Sequence, residues 1–401
     1  MGRERFGIVG AGILGLAVAQ RLAQERPDAA ITILDKEQGV GLHQTAHNSG
    51  VAHAGLYYAP GSLKATLCRQ GIELLQAFCA EHGLPYDECG KLVVARDATE
   101  IDRLREIERR ATRNGVPGLR WLEGNDALRE IEPEVAGVAA VHSPHTAIVD
   151  FHAVARTLAA QVTAHGATIL LGREVTAIDR RGGEVIVSAG GEQHAFDRLV
   201  LCAGLQSDRV ARLAGDGPGP AIIPFRGEYL RLRPDRTDLV RGLIYPVPDP
   251  AFPFLGVHFT RRIDGGVDIG PNAVLAFARE GYRRGDLVPG DLAAVLRWPG
   301  FRKLAVRYWR TGLKEMYGSL SRAAFVREAR TFVPALRLSE VEPAPAGVRA
   351  QAIDPDGSLV DDFRINHLGP VVAVRNAPSP AATSSLAIAR HVVGLVLERT
   401  G

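Results

Sequence analysis

The sequence lacks several features that would place it outside the ordinary globular class. No apolar run approaches the roughly 18 residues that a membrane-spanning helix requires, and no repeat or low-complexity tract indicates a solenoid or a disordered tail. Its four cysteines form no CxxC pair and have no histidine nearby at metal-ligand spacing. These absences predict a soluble protein with reduced thiols and no bound metal.

An excess of charge of one sign is also missing. The 401 residues carry a net charge of only +3, so the overall balance gives no reason to expect a nucleic-acid partner. The first residues lack the apolar segment and cleavage site of a secretory signal, which predicts a cytoplasmic location. A chain of this length exceeds the usual size of one hydrophobic core, so we expect two domains.

A glycine-rich turn at residues 10–15 carries the first functional signal. It follows an apolar strand, opens an amphipathic helix, and is followed by Asp35 at the end of a second strand. Gly10 permits a tight turn, Gly12 admits a pyrophosphate, and Gly15 lets the helix close on the sheet. Asp35 is expected to bind the adenosine ribose. The pattern predicts a dinucleotide site but does not distinguish NAD from FAD.

A polar, glycine-rich segment at residues 41–58 stands where a helix would ordinarily follow the second strand. Such a loop lets the backbone pack flat against a planar ligand. With residues 60–64, it resembles the L-2-hydroxyglutarate oxidase or dehydrogenase family, members of the D-amino-acid-oxidase-like flavoproteins. Further matching stretches cover almost the whole chain: 224–229, 243–250, 256–265, 270–272, 346–351 and 376–383.

The resemblance implies FAD as the cofactor and a particular architecture. The expected fold class is α/β, with a discontinuous Rossmann-like FAD-binding domain and an α+β substrate domain containing a mixed or antiparallel sheet. We place the FAD-binding domain at residues 1–85, 149–217 and 343–401. The substrate domain takes residues 86–148 and 218–342, the second of which has Pro-rich turns and alternating strands.

The residues expected to bind FAD come from the turn, the loop and the later matching segments. They are Gly10, Gly12, Ile13, Leu14, Gly15, Asp35, Lys36, Thr45, Asn48, Ser49, Gly50, Val51, Val175, Ala203, Gly204, Ser379, Ala381, Ala382 and Thr383. Independently of the resemblance, residues 376–383 form a proline-containing turn into a helix whose dipole could face the flavin pyrimidine. Ordinary helix capping accounts for these prolines equally well.

The implied reaction moves a hydride from C2 of a 2-hydroxy acid to flavin N5 while a base takes the hydroxyl proton. His258 and His53 are the candidate bases, because both lie in matching motifs and histidine titrates near neutral pH. We favour His258, which lies on a strand of the substrate domain. His53 instead contacts the flavin or bonds to it covalently in the alternative interpretation.

A dicarboxylate such as L-2-hydroxyglutarate or its product 2-oxoglutarate needs two clusters of cations or hydrogen-bond donors. The candidates are taken from the matching motifs: Arg226, Arg349, Lys64, Tyr58, Tyr245 and Arg261. Related flavoenzymes that oxidise amino acids or glycerol 3-phosphate provide the alternative substrate classes. The motifs at residues 224–272 favour the 2-hydroxy acid.

The expected electron acceptor is oxygen or a quinone. Residues 297–310 contain five basic residues, four aromatic residues and no acid, a composition that suits the surface of an anionic bilayer. A peripheral contact at the inner face of the membrane is one interpretation of this composition. An ordinary amphipathic helix with solvated arginines is the competing interpretation.

Overall fold

The computed structural model describes residues 3–249 and 255–398. The strands are β1 (Arg5–Val9), β2 (Ala30–Leu34), β3 (Val51–Ala52), β4 (Tyr86–Asp87), β5 (Lys91–Ala95), β6 (Arg120–Glu123), β7 (Ala139–Ser143), β8 (Ala147–Val149), β9 (Thr168–Leu170), β10 (Val175–Arg181), β11 (Glu184–Ala189), β12 (Glu192–Phe196), β13 (Arg198–Leu201), β14 (Ala221–Leu232), β15 (Leu243–Pro246), β16 (His258–Arg261), β17 (Val267–Gly270), β18 (Val274–Leu275), β19 (Val341–Ile353), β20 (Arg364–Leu368) and β21 (Val371–Asn376). The α-helices are α1 (Ile13–Glu25), α2 (Leu63–Glu81), α3 (Ile101–Arg113), α4 (Gly124–Arg129), α5 (Phe151–Ala164), α6 (Ser207–Leu213), α7 (Pro289–Arg297), α8 (Pro299–Leu320), α9 (Arg322–Ala329) and α10 (Ser385–Leu397).

A six-stranded sheet in the order β20-β21-β13-β1-β2-β9 forms the nucleotide-binding half. Strand β1 pairs in parallel with both β2 and β13, and only β20 runs antiparallel to its neighbour. Apolar faces of α1, α5 and α10 pack together in one core cluster beside this sheet. Because the strands come from three separated parts of the chain, the predicted discontinuous Rossmann-like fold is confirmed.

A nine-stranded sheet forms the other half, in the order β18-β14-β17-β16-β15-β5-β7-β6, with β19 paired to β14. It is mixed, since β15 and β5 are parallel whereas β15 and β16 are antiparallel. Strand β19 pairs with β14 from Val341 to Ile353. This sheet therefore continues past the domain boundary that we predicted at residue 343.

Smaller sheets complete the fold, in the orders β10-β11-β12 and β3-β8-β4. In the second of these sheets, β3 of the 41–58 loop pairs with β8, and β8 pairs with β4. Since β4 precedes β5 and β8 follows β7 in the chain, this small sheet joins the loop to the large sheet.

Helix α8 lies over the far edge of the large sheet near β18 and changes direction at Tyr308, whose φ of −117° is not helical. No helix in the described ranges is long and apolar enough to cross a membrane.

Candidate cofactor and substrate site

The glycine turn between β1 and α1 is shaped by two close backbone approaches. Gly10 has a φ of +109°, and a Cβ placed on it would lie 2.3 Å from the Cys202 carbonyl oxygen. A Cβ on Gly15 would lie 1.9 Å from the Gly10 carbonyl oxygen. Only glycine fits either position. The turn thereby brings the start of α1 against the ends of β1 and β13.

The N-terminus of α1 faces a cavity of about 960 Å³. The Ile13 amide donates a hydrogen bond to Thr45 Oγ1 at 3.1 Å, which anchors the 41–58 loop to the helix. A Cβ on Gly12 would meet nothing closer than Thr45 Oγ1, at 3.5 Å, so the protein leaves this backbone open to the cavity. Unpaired amides and the positive end of the helix dipole suit a pyrophosphate at this position.

Asp35 lines the cavity at the end of β2 and is held by backbone amides. One carboxylate oxygen accepts a hydrogen bond from the Ala11 amide at 2.6 Å, and the other accepts one from the Glu37 amide at 2.9 Å. Each carboxylate oxygen can accept a second hydrogen bond. A ribose hydroxyl is therefore compatible with Asp35 in this geometry.

Most predicted cofactor residues line this one cavity, and Gly15 and Gly50 are the exceptions. Those on the cavity wall are Gly10, Gly12, Ile13, Leu14, Asp35, Lys36, Thr45, Asn48, Ser49, Val51, Val175, Ala203, Gly204, Ser379, Ala381, Ala382 and Thr383. Gly15 acts through the helix packing described above, and Gly50, with φ +73°, shapes the loop beside Val149. An open glycine turn, a helix N-terminus and a long shared cavity together fit FAD.

Lys36 lies within an acidic cluster at the Asp35 end of the cavity. Its ammonium is 2.9 Å from Glu280 Oε2 and also pairs with Glu37. The His43 ring is 2.9 Å from Glu37 Oε1, and one ligand atom from each of Glu37, His43 and Glu280 lies within 4.8 Å of the other two, a spacing compatible with a metal ion. Here the Lys36 ammonium supplies the cationic charge of the cluster. The salt bridge to Glu280 ties the segment after β18 to the cofactor half.

His258 on β16 and Tyr245 on β15 bring the large sheet to the wall of the same cavity. Their ring centroids are 4.0 Å apart, and His258 Nδ1 is 2.8 Å from the Gly256 carbonyl oxygen. Since a carbonyl only accepts hydrogen bonds, Nδ1 carries the proton, and Nε2 keeps a lone pair to which no described residue donates. Burial lowers the pKa of His258 to about 4, so the imidazole is neutral at neutral pH.

His53 lines the same cavity after β3, and its backbone amide donates to Thr383 Oγ1 at 3.1 Å. Burial, assisted by the charge of Lys91 and by His258, lowers the pKa of His53 well below its usual value. Among the described residues, no hydrogen bond orients either ring nitrogen of His53. The two candidate histidines therefore share one cavity, but only His258 has a fixed tautomer.

Of the four cations predicted to bind the substrate, Arg349 on β19 is the one that lines the cavity. The residue as a whole is exposed to solvent, yet the protein around its guanidinium displaces enough water to lower the pKa of that group. A guanidinium stays charged even with a lowered pKa, because its usual value is above 12. Arg349 therefore offers a positive charge to an anion in the cavity.

Arg226 and Arg261 are not brought to the cavity, for a shared geometric reason. On β14, Phe225 and Gly227 line the cavity, so the alternation of a strand turns Arg226 to the other face, where it binds Glu228 at 3.0 Å. On β16, Arg261 likewise lies on the face opposite His258, 4.0 Å from Asp87.

Lys64 and Tyr58 form a pair outside the cavity wall. Lys64 Nζ lies 3.0 Å from Asp361 Oδ1 and 4.9 Å from the centre of the Tyr58 ring. The charge of Asp361 bears on both Tyr58 and Arg349, so this pair borders the Arg349 region without facing the cavity.

Sequence reasoning missed two cations near the site. Arg262, next to the predicted Arg261, donates from Nη1 to the Asn48 carbonyl oxygen at 2.6 Å and so holds the cofactor loop. Lys91, at the start of β5, is buried with its Nζ 4.0 Å from the centre of the Tyr245 ring. No motif marks Lys91, because it is simply the first residue of an otherwise apolar strand.

A six-stranded sheet with a glycine turn, opening into a cavity that ends at a histidine on a second sheet, defines a flavin-dependent oxidoreductase. Family comparison matches residues 5–395 to the family described as FAD dependent oxidoreductase. The chain belongs to this family and, within it, to the group of proteins named L-2-hydroxyglutarate dehydrogenase. The resemblance seen in the motifs is thereby confirmed.

Two relatives illustrate this membership. L-2-hydroxyglutarate dehydrogenase of Escherichia coli strain K12 is 44% identical over 392 residues, covering 98% of this chain and 92% of the relative. The mitochondrial L-2-hydroxyglutarate dehydrogenase of Homo sapiens is 45% identical over 409 residues, covering 98% and 88%.

Solved structures of similar fold are more distant in sequence. L-α-glycerophosphate oxidase from Mycoplasma pneumoniae, with FAD bound, has a TM-score of 0.80 at 21% identity and covers 99% of this chain and 95% of its own. Glycine oxidase from Geobacillus kaustophilus has a TM-score of 0.74 at 18% identity, with coverage of 99% and 96%. At such identities the likeness shows the fold alone.

Proposed function

We propose that this protein oxidises L-2-hydroxyglutarate to 2-oxoglutarate, with FAD as the redox cofactor. The observation that carries the proposal is the neutral His258 with its free Nε2, facing a cavity that also contains Arg349. FAD, when bound, supplies the hydride acceptor. The relatives named for the same activity, at 44–46% identity over 98% of this chain, support the choice of substrate.

In this proposal His258 takes the proton of the substrate's C2 hydroxyl through Nε2. The Gly256 carbonyl fixes the ring orientation, and burial keeps the imidazole neutral before the reaction. Arg349 binds one carboxylate of the substrate, because a guanidinium matches a carboxylate with two hydrogen bonds. Tyr245 packs against the His258 ring at 4.0 Å and restricts its motion. His53 has the supporting role of facing the cofactor.

The residues proposed to hold FAD divide by the part of the cofactor that they serve. Gly10, Gly12 and the start of α1 hold the pyrophosphate, and Asp35 binds the ribose. The Asn48 to Val51 loop and the 379–383 turn lie at the histidine end of the cavity, bridged by Thr383 Oγ1, which donates to the Val51 carbonyl oxygen. The dipole of the helix that follows this turn favours negative charge on the reduced ring system.

The substrate assignment is tested with purified protein under anaerobic conditions. It should be yellow and should bleach with L-2-hydroxyglutarate, but not with D-2-hydroxyglutarate, an amino acid, glycerol 3-phosphate or NADH. Bleaching by an amino acid or by glycerol 3-phosphate instead would show that the protein acts on the alternative class of substrate. Admitting oxygen or a quinone analogue to the reduced protein then identifies the electron acceptor.

The exposed face of α8 supports a peripheral contact with an anionic membrane, through which electrons would pass to a quinone. Large apolar side chains follow one another at helical spacing and are exposed: Val306, Trp309, Leu313, Met316, Tyr317 and Leu320. Arg307 and Arg310 are exposed on the same helix. The proposed contact therefore extends from the predicted 297–310 segment to Leu320, since most of the apolar stripe follows Tyr308.

Replacing Leu313 and Leu320 together by glutamate should weaken binding to anionic lipid vesicles about tenfold or more, because it removes apolar area and adds negative charge. Co-sedimentation with vesicles of phosphatidylglycerol measures the change. Val138→Glu is the matched control, since Val138 is an exposed apolar residue at 40% accessibility outside α8. Equal sedimentation of all three proteins would reject the membrane contact.

A further inference from the structure

Lys91 is a buried lysine whose ammonium contacts aromatic rings but has no hydrogen-bond acceptor or carboxylate partner in the described part of the chain. It lies at the start of β5 with 1% of its surface exposed, and its Nζ is buried without a hydrogen-bond partner among the described residues. A buried ammonium ordinarily has a carboxylate or several acceptors around it. An uncompensated one marks a place where an acceptor from outside the protein belongs.

The register of the large sheet places Lys91 on the same face as the cavity residues. Leu243 on β15 pairs with Lys91 on β5 and with Thr260 on β16. Tyr245 and His258 each lie two positions from members of that row, so they share its face. Lys91 therefore lies on the same sheet face as the proposed base, but behind the Tyr245 ring, and neither Lys91 nor Tyr57 is part of the cavity wall.

Aromatic side chains surround the ammonium. Its Nζ is 4.0 Å from the centre of the Tyr245 ring and 5.8 Å from that of Tyr57. The Tyr57 hydroxyl is also buried without a hydrogen-bond partner in the described part of the chain. The Lys91 ammonium therefore lies beside two aromatic rings, and neither it nor the Tyr57 hydroxyl has a hydrogen-bond acceptor among the described residues.

The charge state of Lys91 is sensitive to an anion. Burial lowers its pKa to about 7, although Cys89 and Cys68 act weakly in the opposite direction. The other titratable groups around it are His53, His258, Tyr57 and Tyr245. Burial lowers the pKa of both histidines and raises that of both tyrosines, so all four are neutral near pH 7. A carboxylate bound here would restore the proton of Lys91.

We propose that the Lys91 ammonium, acting from behind the Tyr245 ring, supplies the positive potential at the subsite for the substrate carboxylate remote from the oxidised carbon. This inference rests on the proposed function and adds the second cation that a dicarboxylate requires beside Arg349. The subsite explains a preference for a dicarboxylate over a 2-hydroxy acid with a neutral side chain, because only a second carboxylate compensates the buried ammonium.

Lys91→Met tests the subsite, since methionine keeps the length of the stem and removes the charge. Binding of 2-oxoglutarate to the oxidised holoenzyme, followed through the flavin spectrum, should weaken on the order of 100-fold. Binding of 2-oxoglutaramate, whose remote group is a neutral amide, should change less than about threefold. An unchanged preference for 2-oxoglutarate in the variant would overturn the proposal.

Wild-type protein gives a second test that needs no variant. Calorimetric titration with 2-oxoglutarate at pH 8, in buffers of different ionisation enthalpy, should show uptake of nearly one proton, and 2-oxoglutaramate almost none. No uptake with 2-oxoglutarate would overturn the proposal even if Lys91→Met failed to retain FAD. The proposed function fails separately, when the wild-type flavin does not bleach with L-2-hydroxyglutarate.

Discussion

Replacing His258 by alanine should slow the reduction of the bound flavin by L-2-hydroxyglutarate at least ~100-fold, as expected for removal of a general base. The Nε2 lone pair, left free by the bond from Nδ1–H to Gly256, is the acceptor that disappears. Anaerobic stopped-flow absorbance measures the rate. In the wild type, kcat/KM should fall on the acid side only as the pH approaches about 4, because the neutral imidazole persists to that pKa.

His142→Ala is the control for this substitution. His142 is also a buried histidine of the large sheet, 8% exposed on β7, but it does not line the cavity. Its variant should reduce at the wild-type rate. If His53→Ala abolishes flavin reduction while His258→Ala leaves the rate unchanged, the proton acceptor is His53 and the fixed tautomer of His258 serves only structure.

The cofactor half could be predicted from the sequence because its signals are local. A strand, a glycine turn and a helix follow one another within residues 5–25, and the close contacts of Gly10 and Gly15 are made by that short segment and the strand beside it. The turn type demands glycine wherever the rest of the chain lies. The proline-containing 376–383 turn is a second local signal, and its residues line the cavity.

The substrate end was harder to predict because it depends on which face of a strand each side chain takes. Arg226 and Arg261 lie in matching motifs, yet strand alternation turns both away from the cavity. A motif identifies a segment but leaves the face of each residue open until the strand register is known. Arg349 does reach the cavity, because the pairing of β19 with β14 places it opposite Phe225, which also lines the cavity.

Lys91 could not have been found by pattern alone. A lysine before four apolar residues in β5 is typical of a charged residue at the solvated end of a strand. Its burial arises from tertiary packing, since the Tyr57 and Tyr245 rings come from segments far away in the chain. An uncompensated charge becomes visible only when every neighbour is known.

Replacing Gly15 by alanine should leave the protein without FAD and destabilise it by about 3 kcal/mol or more, because the new Cβ overlaps backbone that cannot move freely. The clash is with the Gly10 carbonyl oxygen, at 1.9 Å. Helix α1 would have to move away from β1, which disturbs the core around Leu16. Flavin absorbance per protein and the thermal midpoint measure the two losses.

Gly12→Ala separates cofactor binding from folding. Its Cβ would meet only Thr45 Oγ1, at an ordinary contact distance of 3.5 Å, so the thermal midpoint of the cofactor-free protein should stay near the wild-type value. The methyl group would nevertheless enter the space where the pyrophosphate approaches the backbone, and flavin content should fall at least tenfold. Gly312→Ala, at an exposed helix position with open space around it, is the neutral control. Full flavin content in Gly12→Ala would mean that the pyrophosphate lies elsewhere in the cavity, and the helix N-terminus would then lose its assigned role.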